Sequence, residues 1–468
     1  MRDKSIFHSS IFYFVLVGLV YFCFNLHFSK NNLFLLYDSK RFYVAGVVLL
    51  ACVWIILSKS TRYSIIRELQ LLPVSIKLLF SVFTLAVLIS TFNSNNVTFS
   101  VHYLLYYSGL FLLCCVLYQA THGQSAQIFK FNIVLSFLLF ISVGFAFWLS
   151  VYFGQSVNKH TILSFSNPRF LNQVQVWLVI PLLYLSVLAL KRQKSSRTTS
   201  FALMSSVAVI IATDARGISI ALIATVLLWS LIDKAWRWQI LLVSCKLIIA
   251  GFILKILFLS PLPSFLFAGG TLDFVSIRTD SPGRIQLWID SLNFINFWGN
   301  GGGFFICTSE NSAVPRFGHP HNSILQIVIE WGVFAVISYC LLLALLLYKV
   351  ITTNRRAVRV SGLSLLSGFA YSFVSGVLVM PLSQLLAVLS IAIFWRCCKV
   401  KSECLKEKNI KSMSFLLMSL CLLIILSLYS KGMERVEMYQ SGFLQNKNYE
   451  YTEARIDFWL GYNCNLGK

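Results

Sequence analysis

The sequence predicts an all-α polytopic membrane protein with about 12–13 transmembrane helices and one large loop on the outer side. Hydrophobic residues make up 57% of the 468 residues and charged residues only 12%, whereas soluble chains carry about 25% charged residues. The 40 Phe, 19 Tyr and 11 Trp suit lipid interfaces. Apolar runs long enough to cross a bilayer recur from end to end, so a lone signal peptide does not explain them.

The apolar runs divide the chain into four parts. A transmembrane helix needs roughly 17–25 mostly apolar residues, and this length predicts nine helices in residues 1–259. A large loop follows at 260–321, then further helices at 322–429 and a tail at 430–468. The predicted spans lie at 9–28, 42–58, 71–92, 99–118, 129–153, 173–190, 200–213, 217–232, 239–259, 322–348, 361–380, 384–396 and 413–429.

Lysine and arginine positions predict the orientation. With the N-terminus and its Arg2 and Lys4 on the cytoplasmic side, alternating spans place more than half of the basic residues inside, as the positive-inside rule favours. The net charge of +22 therefore faces anionic lipid headgroups, and nucleic-acid binding loses its main support. Of the 17 acidic residues, those that fall inside are only Asp3, Glu68, Asp233, Glu403 and Glu407.

The loop at 260–321 is the first place to look for function, because long structureless loops are uncommon unless functional. Its run from Gly299 to Gly303 marks turns or hinges. Before that run, Arg284 and Trp288 lie four residues apart in a helical stretch, so they share a face. Cys307 and Cys464 both lie on the predicted outer side, and spacing alone leaves open whether they form a disulfide.

The segment His319-Pro320-His321-Asn322 is the sharpest local feature, directly before the tenth span. Imidazole titrates near neutral pH and is the usual general base for removing a hydroxyl proton. The alternative interpretation is an interfacial histidine satisfied by loop carbonyls.

Arginines on the predicted outer side are the second feature, because guanidinium groups bind phosphate oxygens bidentately. Arg216 lies between two short spans, where a charged residue is a functional candidate. Its structural alternative is an ion pair with Asp214, and the alternative for Arg169 and Arg284 is snorkelling to the interface. Arg278 and Arg316 lie on the same side.

Familiar metal and nucleotide motifs are missing from the sequence. It contains no D-x-D, no H-E-x-x-H and no P-loop, so neither a metal ion nor another cofactor is expected. A histidine base beside outer arginines suits a lipid-diphosphate donor whose leaving group is stabilised by fixed positive charge.

The stretch RFGHPHNSILQ at 316–326, continued by EWG at 330–332, resembles the signature of the bacterial O-antigen ligase superfamily. That superfamily also includes O-antigen polymerases and O-linked protein oligosaccharyltransferases. The ligase pattern is His, then Asn, Ser or Gln, nine residues, Gly, two residues, and Gly, Thr or Tyr. His321, Asn322 and Gly332 fit this pattern, and Ala335 departs from its last position. The segments TDARG at 213–217 and RxxxW at 284–288, followed by WGNG at 298–301, resemble the family's Arg-Gly turn and its entry into the large loop.

The resemblance implies a metal-independent glycosyltransferase of the membrane-embedded GT-C type. Such an enzyme lies in the bacterial inner membrane with its large loop in the periplasm. It takes a glycan from undecaprenyl diphosphate and transfers it to an acceptor hydroxyl. By position, the resemblance assigns acceptor activation to His321, diphosphate binding to Arg169, Arg216 and Arg284, and supporting roles to His319, Asn322 and Glu330.

Several functions remain open at this point. The acceptor is a lipid A-core sugar for a ligase, a growing glycan for a polymerase, or a protein hydroxyl for an oligosaccharyltransferase. The tail is short for a protein-modifying member, so the protein oligosaccharyltransferase ranks third, and the ligase ranks slightly ahead of the polymerase. A lipid-linked oligosaccharide flippase is the rival class. Transporters usually show internal repeats and sites near the midplane, whereas the unusual residues here gather on one outer face, which favours an enzyme.

Overall fold

The computed structural model describes residues 2–24, 36–157, 161–162, 165, 167–270, 284–305, 319–399 and 410–440. Within these ranges the chain forms helices, turns and loops and no β-strand. The helices are α1 Arg2–Phe24, α2 Leu36–Leu57, α3 Lys59–Gln70, α4 Val74–Phe92, α5 Val97–Ala120, α6 Ser125–Tyr152, α7 Pro168–Lys191, α8 Arg197–Ala212, α9 Arg216–Ile232, α10 Arg237–Phe258, α11 Leu262–Ala268, α12 Arg284–Leu292, α13 Ser323–Thr352, α14 Arg356–Ser372, α15 Pro381–Cys398 and α16 Ile410–Gln440.

Most of these helices are membrane spans by length and composition. In the part of the chain that the structure describes, nine helices are long and apolar enough to cross a membrane. Three shorter apolar helices accompany them, at Ser10–Phe24, Arg197–Ala212 and Arg216–Ile232. Each of the twelve overlaps a predicted span, which confirms the all-α multi-pass membrane fold.

The structure differs from the predicted boundaries most visibly around residues 59, 372 and 429. The eleventh predicted span, 361–380, is α14 at Arg356–Ser372, which is followed by turns until Pro381 begins α15. The predicted connection after 58 is the helix α3, whose N-terminus is capped by the Ser58 side chain. Its pattern is amphipathic, with Ile65 and Ile66 buried, which a search for long apolar runs does not detect. The last helix continues past residue 429 to Gln440.

Buried ion pairs explain the extra length of α16. Asp38, at the start of α2, accepts hydrogen bonds from Arg41 at 2.7 Å and from Nη2 of Arg435 at 2.7 Å. All three side chains are at most 4% exposed. Charges at this depth are tolerated when paired, so the polar end of α16 stays helical and is tied to α2.

Helix α7 lies at the centre of the bundle, where it packs against α8, α9, α14 and α15. Trp177 on α7 is fully buried, and its Nε1 donates to the Ser383 hydroxyl at 3.0 Å. The Ser364 hydroxyl donates to the Trp177 carbonyl at 3.0 Å. Gly368 lets α14 approach, because a Cβ there would lie 2.2 Å from the Trp177 ring. Small residues at such crossings are the usual means of close helix packing in membranes.

Candidate functional site

The segment from His319 to His321 forms a tight turn directly before α13. His321 has a left-handed backbone with φ 54°, a conformation that is uncommon outside glycine although histidine adopts it more often than most residues. Its backbone N–H donates to Nδ1 of His319 at 3.0 Å. Both imidazoles are buried, at 2% and 8% exposure. The turn therefore holds the two rings edge to face, with centroids 4.1 Å apart.

Asn322 begins α13 as its N-cap. The side-chain oxygen accepts hydrogen bonds from the backbone N–H groups of Ile324 at 2.9 Å and Leu325 at 3.2 Å. Asparagine is among the preferred caps because its short side chain satisfies the first free amides of a helix. The amide oxygen is thus bonded to α13. Because His321 directly precedes this cap, the cap also fixes where His321 lies relative to the start of the helix.

The three arginines stand at the starts of three helices. Arg169 follows Pro168 in the first turn of α7, where its N–H donates to the Asn167 side chain at 2.9 Å. Arg216 is the first residue of α9, and Arg284 is the first residue of α12. Arg169 and Arg216 are exposed and Arg284 is half-buried. Helix N-termini carry partial positive charge, so each guanidinium stands at the positive end of its helix.

Electrostatic interactions show that the structure brings these residues together. Burial lowers the pKa of Arg284 first, and the positive charges of Arg169 and Arg216 lower it further. The pKa of His321 lies well below its usual value because of burial, then because of His319, Arg169 and Arg284. Burial and the Arg169 charge lower the pKa of His319 to about 3. The predicted base and two predicted anion-binding residues therefore occupy one site, and both imidazoles are neutral at neutral pH.

Helix α12 connects Arg284 with the histidine turn. Nε1 of Trp288 donates to the carbonyl of Pro320 at 2.9 Å. Leu287 is 1% exposed and packs in a cluster with Phe305, Val328 and Ile329. Since the last two belong to α13, α12 is fixed against the helix that begins after the turn. The four-residue spacing predicts that Arg284 and Trp288 share one face of a helix. It does not predict that Trp288 binds Pro320, because Pro320 lies outside this helix.

The end of α14 and the turns after it form the back of the site. A Cβ on Gly376 would lie 2.5 Å from both Cε1 and Nε2 of His319. Gly217, next to Arg216, also packs closely on Tyr371, because a Cβ there would lie 2.9 Å from the ring. The hydroxyls of Ser323 and Ser372 are 2.9 Å apart. Nothing local in the sequence distinguishes Gly376 from other glycines, so its place beside His319 is seen only in the structure.

Glu330 lies where α13 is broken. Gly332 has φ 83° and ψ −177°, which interrupts the helix. The Glu330 carbonyl accepts hydrogen bonds from the Gly301 N–H at 2.9 Å and from the Ser90 hydroxyl. The Val333 N–H donates to the Phe297 carbonyl at 2.9 Å. Hydrogen bonds with Phe297 and Gly301 of the loop thus replace the helical hydrogen bonds that are lost at the break.

The Glu330 side chain lies away from water beside Gln326. It is 1% exposed, and its Oε1 is 3.5 Å from Nε2 of Gln326. The same Gln326 nitrogen lies 3.4 Å from the Tyr103 hydroxyl on α5. The Glu330 side chain is therefore buried beside Gln326, which links α13 to α5, and its supporting role at the acceptor site stays a prediction.

An apolar cavity of about 300 Å³ lies along the helix that begins with Arg216. It is bounded by α9, α13 and α14, and aliphatic and phenyl side chains make up most of its wall. Residues on its wall include Ala224, Leu228, Leu343, Leu366, Phe369 and Phe373.

Among the described residues, no group of three or more His, Cys, Asp or Glu side chains is arranged to hold a metal ion. Cys307 and Cys464, like Arg278 and Arg316, lie outside the described residues.

Comparison with known proteins identifies one part of the chain. Residues 199–340 match a family model described as O-antigen ligase. The matched segment contains Arg216, Arg284, His321 and Glu330, and Arg169 precedes it. No curated protein matches the chain.

Proposed function

We propose that this chain, whose residues 199–340 match a family model described as O-antigen ligase, transfers a glycan from undecaprenyl diphosphate to an acceptor hydroxyl. The acceptor oxygen attacks the anomeric carbon of the donor sugar. The bond from that carbon to the diphosphate oxygen breaks, and the acceptor proton moves to His321. The products are the glycosylated acceptor and undecaprenyl diphosphate.

The observation that carries this proposal is a neutral imidazole held beside guanidinium groups. A general base must be unprotonated when substrate binds. Burial, His319 and the charges of Arg169 and Arg284 lower the pKa of His321, so the ring is unprotonated when substrate binds. His319 supports it by accepting the His321 backbone N–H.

The arginine cluster supports a diphosphate leaving group. Arg169, Arg216 and Arg284 lie in the first turns of three helices, so their guanidinium charges add to the partial positive charge of the helix N-termini and suit one anion. Charge that develops on the departing oxygen is stabilised most by groups already in place. This arrangement supplies with fixed side chains the positive charge that other enzymes take from a metal ion.

The apolar cavity supports a lipid-linked donor. Its wall follows α9 from two turns below Arg216, so a lipid chain there extends from the diphosphate site along the bundle. Burial of apolar groups away from water or headgroups is favourable at about 25 cal/mol per Å².

We place the site on the periplasmic side of the bacterial inner membrane. The basic residues of the predicted inside loops support this orientation through the positive-inside rule. In this arrangement residues 260–321 form the periplasmic loop between two transmembrane regions, 1–259 and 322–429. The tail from 430 is also periplasmic.

Among the members of the superfamily, we propose an O-antigen ligase with a lipid A-core acceptor, and a polymerase as the alternative. Deleting the protein in its host and examining the lipopolysaccharide ladder separates them. Loss of all banding with accumulated lipid-linked polymer indicates a ligase, and a single-repeat band indicates a polymerase. An intact ladder would point to protein acceptors.

The direct test of the mechanism is His321→Ala in purified protein supplied with lipid-linked glycan and acceptor. General-base catalysis contributes roughly 10²–10⁴-fold, so we expect transfer to fall by at least about 100-fold. His122→Ala is the matched control, since His122 is an exposed histidine in another turn, and it keeps wild-type transfer. Wild-type transfer by His321→Ala would remove this residue from the mechanism. A protein that moves lipid-linked glycan across vesicles without any transfer would instead be a flippase.

A further inference from the structure

We propose that Trp288 is a positioning residue, whose indole N–H fixes the His319–His321 turn relative to Arg284 so that base and leaving-group site keep their catalytic separation. This inference rests on the proposed function, because it assumes that His321 is the base. Trp288 itself touches neither substrate. It acts through the backbone of Pro320.

The histidine turn needs restraint from outside. His321 has a left-handed backbone, which persists in non-glycine residues only where surrounding contacts enforce it. One restraint is internal, from the His321 N–H to Nδ1 of His319. Pro320, between them, has no N–H, so its carbonyl is its only backbone group for hydrogen bonding. Trp288 binds that carbonyl at 2.9 Å.

Helix α12 is a rigid support for this hydrogen bond. Leu287 is 1% exposed and packs on Val328 and Ile329 of α13, so α12 keeps its place against the helix that follows the turn. Trp288 lies one turn after Arg284, about 6 Å along the axis at 1.5 Å per residue. Four-residue spacing puts both side chains on the same face. A single short helix thus carries one group for the diphosphate and one for the histidine turn.

This arrangement predicts a specific kinetic effect. Loss of the indole N–H frees the Pro320 carbonyl, and His321 then samples positions away from the acceptor oxygen. Misplacement of a reacting group by about 1 Å costs up to roughly 100-fold in rate. Arg284 keeps its place because the ring and Leu287 still pack, so donor binding is preserved.

The test replaces Trp288 with β-(3-benzothienyl)alanine, which keeps the shape of the ring and has sulfur in place of N–H, and in parallel with Phe. We expect kcat for glycan transfer to fall about tenfold or more while the donor KM stays within about twofold. Trp298→Phe is the matched control, because Trp298 lies in the same loop and is 46% exposed. It keeps wild-type kcat and KM.

Two results would overturn the inference. One is an unchanged kcat in the benzothienyl variant, and the other is a raised donor KM with an unchanged kcat, which would place Trp288 in the donor site. His321→Ala is measured in the same preparations. If it keeps wild-type transfer, the proposed function itself fails. If it is inactive while the benzothienyl variant matches wild type, only the role of Trp288 is refuted.

Discussion

At the residue scale, two buried histidines lie among cations, and this decides their protonation. Burial disfavours the imidazolium form, and the neighbouring guanidinium charges disfavour it further. Burial and the Arg169 charge lower the pKa of His319 to about 3. A histidine in this environment stays unprotonated even in mildly acidic medium.

The first prediction concerns pH. The base acts when neutral, so kcat/KM falls as pH drops through the pKa of His321 in the free enzyme. Because burial, His319, Arg169 and Arg284 lower that pKa well below 6.5, the acidic limb of kcat/KM lies below pH 6.5. Arg169→Ala removes one of these charges and moves the limb to higher pH, whereas Arg169→Lys leaves it in place. A limb at or above pH 6.5 in the wild type contradicts this account.

The second prediction concerns Gly376. In Gly376→Ala the new methyl group lies 2.5 Å from the His319 ring, closer than real contacts allow, so His319 must move and release the His321 N–H. We expect transfer to fall by about tenfold or more, as for other displacements of a catalytic group. Gly46→Ala is the control, because nothing lies within 4 Å of its added Cβ. Equal activity of the two variants would show that His319 does not hold the turn.

At the element scale, the break in α13 joins the loop to the membrane helices. Gly332 and Gly299 approach so closely that a Cβ on either would lie within 2.8 Å of the other's backbone nitrogen. Asn300 adds hydrogen bonds from its backbone N–H and its side chain to the Ile329 carbonyl, at 3.0 and 2.9 Å. The loop thus supplies hydrogen-bond partners for backbone groups on both sides of the break, as buried backbone groups require.

The third prediction is that Gly332→Ala destabilises the protein. Its φ of 83° with ψ −177° is a conformation essentially restricted to glycine, and strained residues of this kind cost about 1–3 kcal/mol. The close approach to the Phe297 carbonyl at 2.5 Å adds to this, so thermal unfolding in detergent begins at a clearly lower temperature. Gly144→Ala, whose Cβ meets only Leu259 at 3.6 Å, serves as the control. A variant as stable as wild type would contradict the description of the break.

At the scale of the whole molecule, ion pairs hold both ends of the bundle. At the predicted cytoplasmic end, Lys399 pairs with Glu68, and Arg359 pairs with Asp233 at 3.2 Å. At the other end, Asp38 joins Arg435. These pairs connect segments far apart in sequence, and they give Glu68 and Asp233, two of the predicted inside acidic residues, basic partners.

The fourth prediction is the topology. Alkaline phosphatase fused after Lys194, between α7 and α8, is expected to be inactive because the basic cluster there remains in the cytoplasm. The same reporter fused after Gly270 is expected to be active, since that residue follows α11 on the opposite side. Expression of both fusions is checked by immunoblot. The reverse pattern of activity would invert the orientation and place the site on the cytoplasmic face.

Much of the architecture follows from the sequence because hydrophobic length is a local property. Each predicted span overlaps a helix, and the helix expected after residue 283 is α12. The seven predicted site residues are all described, and His319, His321, Arg169 and Arg284 interact as one cluster. The sequence did not reveal α3 or the extension of α16, because amphipathic and ion-paired helices lack a long apolar run.

The sequence alone established that this is a multi-pass helical membrane protein. It also placed a histidine at the start of a span and arginines near span ends. Composition, hydropathy and motif spacing are properties of consecutive residues, so no knowledge of the packing is needed for them. Only the tertiary structure decided that Trp288 reaches Pro320, that Gly376 makes room for His319, and that the glycine run fills the break at Gly332. These contacts join segments distant in sequence, and their geometry depends on how the helices pack against one another.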